Sequence, residues 1–155
     1  MKKIIVLVSG LILSTCAVTT AQPNIGCNDR AIRLQSEQIK QGMKEQGMTV
    51  YRDAMIGMES QQPYPIAVHL EKGKMYQMIY VANNLSTKMD FELFDQNDTK
   101  LDSRSVNNPA QNNYIIYSFV PEKTDMYMVV LTQKMKKKSS LCGSFSILEQ
   151  ANDKK

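Results

Sequence analysis

Tryptophan is absent from the sequence, histidine occurs once, and only three cysteines are present. One imidazole and so few thiols cannot supply a usual zinc ligand set, and no Gly-rich phosphate loop or nucleophile beside a base is visible. Aromatics make up 7% of the chain while methionine contributes 11 residues, so thioethers must fill space that larger rings would take, and a plastic core is expected. Long apolar runs are missing too. The longest, Ile4 to Cys16, is roughly 13 residues against the roughly 20 that a membrane-spanning helix needs, so no transmembrane helix is expected. What remains, 155 residues with 43% hydrophobic and 22% charged positions, is an ordinary composition for one globular domain.

That apolar run follows Lys2 and Lys3 and reads as a secretory signal occupying residues 1–21, with Thr19 and Ala21 as the small residues before a cut that leaves Gln22 first. An alternative address overlaps it. Leu13, Ser14, Thr15 and Cys16 resemble a lipobox, which would anchor the chain through a lipidated Cys16, although Thr15 is bulkier than that motif prefers. Either cut places the protein outside the cytoplasm, periplasmic, extracellular or held at the outer membrane. Removing the signal takes two lysines and no acid from 19 basic and 15 acidic residues, so the balance falls from +4 to +2. Nothing in so small a net charge points to nucleic acid. Cys27 and Cys142 are then an even pair in an oxidising compartment and are expected to form a disulfide; two unpaired buried thiols are the alternative.

Residues 22–47 form an N-terminal segment and helix. Between Asn28 and Gln46, Ile32, Ile39 and Met43 share one helical face with Leu34 beside it, Asn28 or Asp29 can cap the start, and Gly47 can end it. After Gly47 the period becomes two. Met48, Val50, Ala54, Ile56 and Met58 alternate with polar residues, and Tyr64, Ile66, Val68 and Leu70 do so after the turn Ser60 to Pro63, which reads as a hairpin. Met75 to Ala82, apolar on both faces, reads as a central strand. Met89, Phe91 and Leu93 point one way; Leu101 to Ser105 is a polar edge strand; Tyr114 to Val120, Met126 to Thr132 and Leu141 to Leu148 complete the set. Asn107 to Asn113 and Gln133 to Ser140 read as loops, and 149–155 as a polar tail. The fold class expected over 48–148 is mainly β, an antiparallel jelly-roll-like β-sandwich of about eight strands preceded by one amphipathic helix.

This order resembles the bacterial pre-peptidase C-terminal domain over roughly residues 48 to 148. The resemblance is carried by Leu70-Glu71-Lys72-Gly73-Lys74-Met75-Tyr76, by Phe91-Glu92-Leu93-Phe94-Asp95 with Asn97, Asp98 and Leu101, by Tyr117-Ser118-Phe119-Val120-Pro121 leading to Met126-Tyr127-Met128-Val129, and by Gly143-Ser144-Phe145-Ser146-Ile147. Asp125 and Met126 stand where that family usually has Gly before the second Tyr, and Cys27 with the helix lies outside the pattern. The resemblance implies an accessory, non-catalytic module that binds carbohydrate or protein and, in some relatives, calcium.

Candidate sites each carry a plainer reading. His69, between Val68 and Leu70 and opposed to them, faces solvent and has no nucleophile to serve. Asp95, Asn97, Asp98 and Asp102 offer oxygen ligands suited to calcium, but the same residues make a hairpin turn without any ion, and EF-hand spacing fails. Lys134, Lys136, Lys137 and Lys138 form a basic run that is a solvated loop or a patch for an anionic ligand such as an acidic glycan. Exposed members among the seven tyrosines could stack sugars, although core and sheet packing is their ordinary use. The combined expectation is an exported, non-catalytic binding or structural module of the bacterial cell envelope, recognising glycan or protein and needing no cofactor unless calcium. A small secreted hydrolase or enzyme inhibitor with a loop-borne site is the alternative, and Leu101 to Ser105 as an edge that accepts a partner strand is a third.

Overall fold

The computed structural model describes residues 27–137 and 139–151; the expected signal segment and Lys138 lie outside them. One helix, α1 (Arg30–Glu45), precedes eight strands: β1 (Met48–Glu59), β2 (Tyr64–Leu70), β3 (Tyr76–Ala82), β4 (Lys88–Phe94), β5 (Lys100–Asn107), β6 (Tyr114–Phe119), β7 (Asp125–Lys134) and β8 (Ser140–Gln150). α1 begins where the Asp29 carboxylate accepts the N–H groups of Ala31 (2.9 Å) and Ile32 (3.2 Å), amides that have no partner within the helix. It ends at Gly47, whose φ of +83° is strained for any residue with a Cβ.

The strands form two antiparallel sheets. Sheet I has the order β1-β8-β3-β6 and sheet II the order β2-β7-β4-β5. Every connection except β4 to β5 therefore crosses from one sheet to the other, which is the jelly-roll arrangement. The hairpin expected of the first two strands is a correction: β1 pairs with β8, and β2 with β7. Period-two patterning reports which face of a strand is buried and says nothing of which strand lies beside it.

A bulge explains a second departure. Val50 sits opposite Leu148 and Arg52 opposite Ile147, so Tyr51 is an extra residue in β1. One inserted residue transfers the alternating stripe to the other face. Met48 accordingly packs on the outside of sheet I, beneath α1, whereas Ile56 and Met58 enter the space between the sheets. Met89, Phe91 and Leu93 of β4 point inward as expected, meeting Tyr80, Tyr127, Leu131 and Phe145 in that inner core. β8 also runs past the expected start of a tail, since Glu149 pairs with Tyr76 and receives the Lys74 ammonium at 3.0 Å.

Candidate functional site

The two outer faces of the sandwich are treated differently. On sheet I, α1 lays Ile32 onto Ile79, Val81 and Leu148, and the disulfide Cys27–Cys142, with Cα atoms 5.5 Å apart, pins the segment before α1 to β8. Polar groups fix the helix as well. Ser36 and Ser144 hydroxyls lie 2.8 Å apart, and Gln35 and Asn113 exchange two amide hydrogen bonds of 2.6 and 3.0 Å. Lys40, only 3% exposed, reaches Asp53 at 2.5 Å and Glu37 at 2.6 Å, while Ser146 donates to the other Asp53 oxygen at 2.7 Å. Burial pulls the Lys40 ammonium toward the neutral form, but the bonds to Asp53 and Glu37 outweigh it and hold its pKa above the ordinary lysine value.

Tyr80, fully buried with its hydroxyl directed at Met58 Sδ, is raised more strongly, because burial disfavours the phenolate. For both Lys40 and Tyr80 the folded pKa lies above the unfolded one, so their stabilisation is complete below about pH 10 and is lost as pH rises. Tyr80 alone should lower the unfolding free energy by about 1.4 kcal/mol for each pH unit above about pH 10. Urea midpoints measured from neutral to alkaline pH check this. A wild-type profile that stays flat, or the same slope in Tyr80→Phe, would refute the assignment.

Sheet II has no helix over it among the described residues. Its outward side chains are set by register: Lys88, Asp90 and Glu92 from β4, Ser103 and Ser105 from β5, and Met128, Val130, Thr132 and Lys134 from β7. With Gln61, Pro63 and Arg104 several of these line a shallow groove of about 450 Å³. Charges alternate along it. Lys100 meets Glu92 at 3.0 Å, Lys88 meets Asp90 at 2.7 Å, and Ser105 donates to Asp90 at 2.5 Å. Beside the groove the face turns apolar through Pro65, Ala67, Met126, Met128 and Val130, and Met126 is 45% exposed.

The other candidate residues fall as follows. His69 is exposed on β2, and its backbone carbonyl accepts the Tyr51 hydroxyl at 2.8 Å. Asp95 is committed to its own turn: one oxygen accepts from Thr99 N–H (2.9 Å) and Asn97 N–H (2.8 Å), bonds that hold its carboxyl below the usual carboxylate range. Asp98 adopts φ 59° in the same turn. Asp102 is not part of it, lying on β5 with its carboxylate on Ser103 N–H and Arg104 (2.8 Å). Among the described residues no three acidic, His or Cys side chains converge as a metal site. Lys134 belongs to β7 rather than to a loop and borders the groove, while Lys136 and Lys137 are exposed beyond it. The exposed tyrosines do not form a platform, because Tyr51 is on β1 and Tyr114 on β6.

No protein-family model matches the sequence, and a search of curated proteins finds no match. Solved structures give partial likenesses. A periplasmic inhibitor of g-type lysozyme from Aeromonas hydrophila, PliG, aligns with 68% of this chain and 90% of its own at 9% identity and a TM-score of 0.46. A CBM4 structure aligns with 67% of this chain and 79% of its own at 14% identity and a TM-score of 0.42. A glycosylation-associated protein complex from Streptococcus agalactiae aligns with 69% of this chain and 40% of its own at 10% identity and a TM-score of 0.33. At these values the jelly-roll assignment rests on the strand order itself, and none of the three assigns a partner.

Buried Gln133 and Lys40 escaped the reading of the sequence. Gln133 sits where the pattern reads as loop, and Lys40 lies on a helix otherwise rich in exposed polar residues. The signal available for Lys40 was its position eight residues after Ile32, on the buried stripe.

Proposed function

We propose that the chain is an exported, non-catalytic binding module of the bacterial cell envelope that takes a protein segment across the bare outer face of sheet II. The asymmetry of the sandwich carries this reading: one outer face is closed by a helix and a covalent bond, and the other combines an alternating-charge groove with an exposed methionine-bearing strip. Methionines adapt to apolar side chains of many shapes. A glycan is disfavoured because sugar faces stack on platforms of aromatic rings, and register places only Phe94 and the single imidazole of His69 on this face among the described residues. Export is supported by the signal-like start and the disulfide. The resemblance to pre-peptidase C-terminal domains agrees with an accessory role.

Lys88 and Lys134, with Lys100 on Glu92, outnumber Asp90 and Glu92 around the groove, Arg104 being turned away over Tyr117 and paired with Asp102, and Lys136 and Lys137 extend the excess, so the segment bound is acidic. Photo-crosslinkers placed at Ser103 and Met128 in native cells should capture one protein, whereas a crosslinker at Gln41 on α1 should not. The triple change Lys134→Glu, Lys136→Glu and Lys137→Glu should weaken that complex about 10- to 100-fold at low salt, from roughly 0.5–1 kcal/mol per exposed charge. Capture only at Gln41, binding to a glycan array alone, or turnover of a hydrolase substrate abolished by one loop mutation would replace this reading.

A further inference from the structure

A sandwich of two open sheets has four edge strands, and unpaired edges are sites of unwanted pairing unless they are blunted. Three of the four are blunted here. β1 carries the Tyr51 bulge, and from that bulge Arg52 donates to the Ala67 carbonyl (2.6 Å) and Tyr51 to the His69 carbonyl (2.8 Å), capping the edge of β2, which also contains Pro65. β5 has Leu101 as an extra residue and places Lys100, Asp102 and Arg104 along its length. The sequence pattern singled out β5 as the strand that would accept a partner; its bulge and charges argue against that.

β6 differs in every respect. From Tyr114 to Val120 the chain has no charge, no Pro and no Gly, and its register with β3 is unbroken. Ala82 N–H donates to the Asn113 carbonyl at 2.8 Å, which fixes the phase of the ladder: Ile115, Tyr117 and Phe119 turn their backbone groups toward β3, and Tyr114, Ile116 and Ser118 turn theirs away. Among the described residues no side chain bonds to those outward groups. The same three residues direct their side chains to the outer face, where Tyr114 and Ile116 are each 38% exposed and Val120, just beyond, is 52% exposed.

We infer that β6 is a self-association edge at which two copies of this chain pair antiparallel about a two-fold axis through Ile116. In that alignment Ile116 faces its own counterpart and Tyr114 faces Ser118 of the other copy, large against small. The outward N–H and C=O groups of Tyr114, Ile116 and Ser118 then supply about six intermolecular backbone hydrogen bonds. Because the strand is uncharged, no like charges meet across the axis. A foreign apolar strand would satisfy the same hydrogen bonds, but the self-complementary spacing about Ile116 favours a second copy.

Sedimentation equilibrium on the full exported chain across the micromolar range tests this. The wild type should dimerise, and Ile116→Lys and Ile116→Glu should each weaken dimerisation about 10-fold or more, by losing the Ile116–Ile116 contact across the axis and placing like charges opposite each other. Mixing the Lys and Glu variants should restore a heterodimer, since position 116 meets only itself. Ser118→Pro, which removes an outward N–H and leaves the β3 ladder intact, should also give a monomer with unchanged circular dichroism. A monomeric wild type, a dimer that survives these changes, or a Lys and Glu mixture that stays monomeric overturns the proposal.

Discussion

Replacing Cys27 and Cys142 together by Ser should lower the unfolding free energy by about 4 to 5 kcal/mol, a large part of what holds a domain of this size. The bond closes 115 residues of sequence, and the chain-entropy relation gives that figure for a loop so long. The loss should not be spread evenly. Cys142 lies in β8, hydrogen-bonded on both sides within sheet I, whereas Cys27 precedes α1, whose apolar stripe is narrow and whose helix would be marginal alone in water. Without the bond, α1 is held at one end by Gly47 and along its length by Ile32, the Ser36–Ser144 contact and Lys40. Hydrogen exchange on the reduced chain should therefore show α1 amides losing protection before those of β3 and β8. Equal denaturant midpoints for oxidised and reduced chains, or simultaneous loss of protection in α1 and β3, would remove this account of the staple.

The disulfide was legible because two cysteines in an oxidising compartment leave one pairing, and the strands were legible because half-buried strands alternate. The neighbours of the strands were not. Tyr64, Ile66, Val68 and Leu70 read identically whether β2 lies beside β1 or β7, and only closure of both sheets selects β7. The Tyr51 bulge left one clue, Arg52 as the residue breaking the alternation, yet its consequence, Asp53 brought under α1 to meet Lys40, needs the helix in place. Of the candidate sites, the acidic turn was legible as a turn because Asp and Asn accept their own backbone amides. The groove on sheet II was not, because its lining comes from four separate stretches of sequence that become neighbours only through register.

Gln133→Leu should cost about 3 to 5 kcal/mol, since three polar groups, one buried and two partly buried, lose their partner at once. Gln133 has no exposed surface. Its Oε1 accepts from Asn83 N–H (2.9 Å) and the Ser86 hydroxyl (2.8 Å), and its Nε2 donates to the Cys142 carbonyl (3.0 Å), so one side chain from sheet II binds the β3–β4 connection and β8 of sheet I. Gly143 makes room for it: a Cβ there would stand 3.1 Å from Nε2 and 3.2 Å from the Val81 carbonyl, so Gly143→Ala should also destabilise by displacing the amide. Gln133→Glu separates polarity from volume. Its carboxylate keeps the two acceptor contacts but cannot donate to Cys142, and burial raises its pKa in the folded state above the unfolded value. Its deficit against wild type should thus be largest near neutral pH and shrink as pH falls through the raised folded pKa toward the unfolded one, where protonation restores an O–H donor. Denaturant midpoints of the three chains from pH 4 to 8 read this directly. A deficit for Glu that does not change with pH, or a Leu variant as stable as wild type, would show that the two sheets do not depend on this amide.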